Sequence, residues 1–184
     1  MPRVAPITSK TDLPAEQHAL ADAVVRMFGR IRGPFSMFLH SPMLAERLLP
    51  LVAFFHTDSI VEPRLRSLAI LAAAREHRAA YVWAAQVALA RRNGVPEELI
   101  DLIRAKGDSG KLPSDERDVI DFTRQLMRTR HVEQATFDAL KSRHDAQWLV
   151  ELTAAATYFA FVSGFANALE IAAPRDGDAL PDNP

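Results

Sequence analysis

The sequence contains no cysteine in its 184 residues. That excludes a disulfide framework, a thiolate metal site and any thiol redox chemistry supplied by this chain alone. Glycine is scarce at 7 residues, which leaves little for sharp loops or repeated hairpins. Tyrosine and tryptophan number only 2 each. Neither sign of charge dominates: 22 Lys and Arg stand against 23 Asp and Glu, a net of -1. Such a balance gives no general pull toward nucleic acid or an anionic membrane, so neither is expected as a partner. The start, Met1-Pro2-Arg3-Val4-Ala5-Pro6, lacks the apolar core of a secretory signal, and a cytoplasmic location is the expectation.

What is present is apolar and helical. Hydrophobic residues make up 48% and charged residues 24%, the composition of a globular chain long enough to bury a core. Leu20, Ala23, Val24, Met27 and Phe28 fall on one helical face, with Thr11 and Asp12 as caps and Pro14 in the first turn. Gly29 and Gly33-Pro34 break that helix. Ser41-Pro42 starts a second, running to about Phe55, and Glu62-Pro63 opens a third that fades near Arg75 to Arg78. A fourth spans roughly Ala79 to Asn93 and stops at Gly94; Pro96 starts a short fifth that ends at Gly107. Ser114 caps a sixth, with Val119, Phe122, Leu126 and Met127 on one face. A seventh lies near Glu133 to His144, and Asp145 caps a long eighth reaching about Ile171. The expected fold is all-α: one helical domain over residues 1–173, about eight helices, and a flexible tail over 174–184.

The stretch from Leu152 to Leu169 is apolar enough to mimic a membrane span. It carries Thr153, Thr157, Ser163, Gly164 and Asn167, has Glu151 and Glu170 at its ends, and lacks a basic flank on one side. It reads instead as a helix buried in a core or at a subunit interface. The run Gly107-Asp108-Ser109-Gly110-Lys111-Leu112 fails as a phosphate loop: its glycines are too close, a Leu follows the Lys, and no strand precedes it. It reads as a flexible loop. The histidines His18, His40, His56, His77, His131 and His144 show no metal-ligand spacing, so no metal is expected. No cofactor is implied.

One segment carries more. It reads Pro63-Arg64-Leu65-Arg66-Ser67-Leu68-Ala69-Ile70-Leu71, then Ala72 to Arg75, then Tyr81-Val82-Trp83-Ala84-Ala85-Gln86, with Ala90 and Gly94 after it. This resembles the carboxymuconolactone decarboxylase family, whose fold is shared with the alkylhydroperoxidase D-like proteins. Arg32-Gly33-Pro34, Leu39 to Pro42, Asp115-Glu116-Arg117, Val150 to Thr153 and Asn167-Ala168-Leu169 are similar to other parts of that family, so the resemblance spans roughly 32–174. It implies an all-α fold, a homo-oligomer such as a trimer or hexamer, and a small-molecule site near the helix from Ala79 to Asn93. In the family's redox branch that helix carries Cys-x-x-Cys and a later His, with a Glu on the preceding helix. Those cysteine positions fall here on Ala79 and Val82, the His on Gln86 and the Glu on Ser67. None retains its acid, base or nucleophile, whereas peroxide reduction by a thiol needs a thiolate and general catalysis a titrating group.

The remaining candidates follow from residue chemistry. Ala79, Val82 and Gln86 share one helix face, and Gln86 either orients a carbonyl or carboxylate or makes a structural hydrogen bond. Ser67 either meets a ligand or bonds back to its own turn. Tyr81 and Trp83 offer apolar bodies with polar tips, as ligand contacts or as packing. His56 is the best remaining base, or an exposed loop histidine. Glu76 reads as a solvated helix-end carboxylate; Arg66 and Arg75 either attract an acidic substrate or pair with Glu62 and Glu76. Catalysis is therefore expected from His56, Gln86 and Tyr81, and substrate contact from Ser67, Ala79, Val82 and Trp83. The alternative is a helical oligomer that binds or scaffolds without turnover.

Overall fold

The structure, a computed structural model, describes residues 2–181. Among these residues it is all-α, with nine α-helices, two short 3-10 turns and no strand. The chain divides into two compact units. Among the described residues the first comprises 2–59 and Phe165–Ala172; the second comprises Ile60–Gly164 and 173–181.

In the first unit the helices are α1 (His18–Phe28), α2 (Pro34–Phe38) and α3 (Pro42–Thr57). The expected caps of α1 act earlier in the chain. Ser9 caps a 3-10 turn over Lys10–Asp12, and Asp12 accepts hydrogen bonds from the Thr8 and Ser9 amides at 3.0 Å each. A second 3-10 turn, Ala15–Gln17, then leads into α1. Gly29, at φ +76°, closes α1 in the left-handed region that a side chain would strain. Gly33-Pro34 does break the chain, but Pro34 also opens the extra helix α2, because its fixed φ suits a first helical turn. Phe35, Met37 and Phe38 of α2 are buried, and Phe38 lies 4.3 Å from Phe165, ring centre to ring centre. The N-terminal segment is held by Ile7 N–H to the Ser36 carbonyl at 2.9 Å and by Arg3 to Glu170 at 2.8 Å.

The second unit holds α4 (Pro63–Glu76), α5 (Ala80–Arg92), α6 (Glu97–Arg104), α7 (Ser114–Thr129), α8 (Gln134–Lys141) and most of α9 (Ala146–Ala168). α4 lies at its centre, against α5, α6 and α7, and α8 packs on α7. Every residue from Leu65 to Arg75 is buried. Ala69, Ala72, Ala73 and Ala74 keep that helix slim, so neighbours approach closely on all sides. Asp145 caps α9 as expected, accepting the Trp148 amide at 2.9 Å. The Trp148 indole donates to Glu62 at 2.9 Å, and Glu151 accepts the Ile60 amide at 2.8 Å. These bonds fix the start of α9 against the start of α4. α9 is long and apolar enough to cross a membrane, but 56% of its apolar stretch is buried in the protein, as in a core helix.

The segment after Pro174 meets α5 at Gly177 and Asp178. Arg91 grips Asp178 through two bonds at 2.6 and 2.8 Å, and Gly177 sits so close to α5 that a Cβ there would meet the Ala84 Cβ at 2.8 Å. Residues 182–184 lie outside the described residues.

Scarce glycine has a visible cost. Arg78, Lys106, Arg130 and Glu170 all adopt positive φ just past helix ends, at 50°, 54°, 61° and 52°. A side chain in that region costs roughly 1–2 kcal/mol. Arg130 is exposed, so Arg130→Gly should stabilise the protein by about 0.5–1 kcal/mol, since the relief is partly offset by a looser unfolded chain. Urea denaturation checks this; an unchanged or lower midpoint would contradict it.

Candidate functional site

Two groupings of chemically capable side chains form in the second unit. The first is the α4–α5 region read from the sequence. Ser67 sits in the buried part of α4, and its hydroxyl donates to the Pro63 carbonyl at 2.8 Å. It also accepts from Asn93 Nδ2 at 2.9 Å, so the hydroxyl ties α4 to the end of α5. Asn93 was not singled out from the sequence. Ala79, the residue just before α5, is fully enclosed, and Val82 is 2% exposed. Gln86 is half-buried, on the same face, and its amide makes no hydrogen bond among the described residues.

The other predicted residues separate from that face. Tyr81, also half-buried, precedes Gln86 by five positions and therefore lies about 140° around the helix from it. Trp83 is fully enclosed, with the Arg104 guanidinium 5.6 Å from its ring centre, which makes it a packing and cation–π partner. His56 is half-buried in the last turn of α3, in the first unit. Arg66 and Arg75 are buried, and each donates to a backbone carbonyl: Arg66 to Val61 at 2.5 Å, Arg75 to Arg104 at 2.6 Å. His77, at the end of α4, is pulled below the usual imidazole range by burial, with Glu76 opposing; its neutral form is favoured at neutral pH.

The second grouping lies around the end of α4 and the face of α7. Glu76 is not a solvated helix-end carboxylate: its side chain is only 7% exposed. It accepts Arg128 at 2.6 Å and faces Lys106 at 3.6 Å. Burial works to raise the Glu76 pKa, but the hydrogen bond and charge of Arg128, with Lys106 and Arg124 behind, outweigh it and hold the carboxyl below its ordinary value. Beside this cluster is a cavity of about 510 Å³, lined by Lys106 to Ser109 and by Asp121, Arg124, Gln125, Arg128 and Thr129. Asp121, Arg124, Gln125 and Arg128 follow helical spacing opposite the apolar stripe of α7. That polar stripe was the sequence signal available for this cavity, and it looked like any solvated helix face. Among the described residues no cluster of His, Asp or Glu is arranged to hold a metal ion.

The fold is that of the AhpD-like proteins. An alkylhydroperoxidase AhpD core protein from Ralstonia eutropha JMP134, described as peroxidase-related, matches with a TM-score of 0.75 and 18% identity, over 94% of this chain and 95% of that one. A Cys-to-Ala form of the debrominase Bmp8, bound to 2,3,4-tribromopyrrole, matches with a TM-score of 0.76 and 16% identity, over 95% of both chains. An AhpD-type protein from Agrobacterium tumefaciens matches with a TM-score of 0.69 and 17% identity, over 79% of this chain and 100% of that one. At such identities the likeness establishes the fold alone. No curated protein matches the chain. Residues 48–125 match the Carboxymuconolactone decarboxylase family, and the chain contains no cysteine.

The lowered Glu76 pKa has a pH signature. Its ion pairs contribute stability that is fully present above the unfolded carboxyl value, 4.5, and is lost as pH falls through the lower folded value. Glu76→Gln should therefore lower stability at neutral pH and flatten the loss of stability below about pH 4.5. Denaturation curves across the acid range test this; parallel profiles for the two proteins would refute it.

Proposed function

We propose that this protein binds a small acidic or lactone-like metabolite on the Gln86 face of α5 and acts on it without thiol peroxidase chemistry. The observation that carries the reading is the state of the family positions. Ala79 and Val82 are buried and carry no polar side-chain atom, the Ser67 hydroxyl is occupied by Pro63 and Asn93, and the Gln86 amide alone is left to meet a ligand. An amide donates and accepts at once, so it suits a carbonyl oxygen or a lactone ring. Peroxide reduction through sulfur needs a thiolate, and the chain contains none.

A non-catalytic binding protein is the second reading. It is supported by the same Ser67–Asn93 bond, which removes the hydroxyl from chemistry. We propose that either form is a homo-oligomer. Exposed apolar side chains support this: Met43 is 70% exposed in the first unit and Val150 67% in the second.

Purified protein should consume no hydroperoxide with dithiol reductants above the uncatalysed rate; robust turnover would overturn the proposal. Neutral lactones screened by thermal shift give the positive arm. A lactone at about a hundred times its dissociation constant adds roughly 2.7 kcal/mol, raising the melting temperature by about 5–10 °C. Gln86→Leu should abolish that rise while remaining folded. A lactone shift that survives Gln86→Leu would move the site elsewhere.

A further inference from the structure

Arg124 is a buried charge in the second unit whose guanidinium is incompletely satisfied. It is 8% exposed, and its Nη1 donates to the Gly107 carbonyl at 2.8 Å. Its Nη2 is buried with no hydrogen-bond partner among the described residues. Nor does any carboxylate among those residues come within 4.0 Å of this guanidinium, whereas its neighbours Arg128 and Lys106 both pair with Glu76. A buried cation is costly unless it meets an anion, and arginine does not escape by losing its proton. Burial, and after it the nearby Arg128, pull Arg124 below the ordinary arginine value, with Glu76, Asp121 and Asp108 opposing.

The space beside it has the size and chemistry to supply the missing partner. The cavity of about 510 Å³ falls in the range of small-metabolite sites. Its walls contribute three cations, Lys106, Arg124 and Arg128, and two carboxylates, Asp108 and Asp121. Both carboxylates are engaged in shaping the loop. Asp121 accepts the Ser109 hydroxyl at 2.5 Å, and Asp108 accepts the Gly110 amide at 3.0 Å. With Glu76 behind the wall the region is nearly neutral, so recognition comes from the directional guanidinium rather than a long-range field.

We infer that the cavity between the α6–α7 loop and α7 is a binding site for a small oxyanion-bearing metabolite, whose carboxylate or phosphate pairs with the Arg124 guanidinium. The loop fails as a phosphate loop because its backbone lacks the required glycine spacing; side chains on α7 supply the recognition instead. This site is separate from the Gln86 face and stands whether or not that face binds a lactone.

An amide NMR titration of the wild-type protein with succinate, and separately with inorganic phosphate, tests the assignment. Binding of either probe should perturb amides of Gly107 to Ser109 and Gln125 to Thr129, and the tighter probe identifies the preferred headgroup. Calorimetry should show binding roughly tenfold or more weaker in Arg124→Gln, the loss expected for a charge-assisted bidentate contact. Thr129→Glu puts a carboxylate at an exposed position on the rim and should weaken the same probe, which keeps the test open should Arg124→Gln fail to fold. Absence of binding by both probes at millimolar concentration would overturn the inference. So would perturbations centred on α5, or unchanged affinity in a folded Arg124→Gln protein.

Discussion

Helix α4 runs through the second unit with no solvent-facing side between Leu65 and Arg75, and that confinement governs what surrounds it. Alanines make the confinement possible, because a larger side chain at Ala72 or Ala73 would push a neighbouring helix away. Polar residues on such a helix have no water to satisfy them. Arg66, Ser67 and Arg75 each bond a backbone carbonyl and so help to hold the fold. The two candidate sites lie at the limits of this helix. Near its start, Ser67 is joined to Asn93; at its end, Glu76 emerges beneath Lys106 and Arg128.

Much of this architecture was legible in the sequence because local chemistry marks it. Pro42, Pro63 and Asp145 announce helix starts, and the structure begins helices at or next to each of them. The resemblance to the family was legible for a similar reason, since the order of small and apolar residues from Pro63 to Gly94 records how α4 and α5 pack. Helix α2 was not legible. Gly33-Pro34 is equally a break and a beginning, and only the buried Phe35, Met37 and Phe38 decide between them. The role of Glu76 was hidden too. Its partners come from Lys106 and Arg128, far along the chain, and helical spacing within α4 says nothing about them. Arg124 shares that difficulty: its position in a polar stripe is visible, but its burial follows from how α7 lies on α4.

The contrast between the two sites is one of electrostatics. On α4 and α5 the positions singled out through the family resemblance hold Ser67, Ala79, Val82 and Gln86, none of them charged. Around α7 the opposite holds: charges are dense, largely cancelled and partly buried. Uncharged recognition of one compound and ionic recognition of another are compatible on one small helical scaffold, because they use different faces of different helices.

The clasp at Asp178 links residues remote in sequence, with 87 positions separating it from Arg91. Closing so long a loop costs chain entropy, and the closure is offset only once its landing site exists. That site needs α5 to present Ala84 and Arg91, and α6 to present Arg104, which also touches Asp178 at 3.3 Å. In folding order, the clasp therefore comes after α5 and α6 have docked. On a ribosome it forms only after Asp178 itself has emerged.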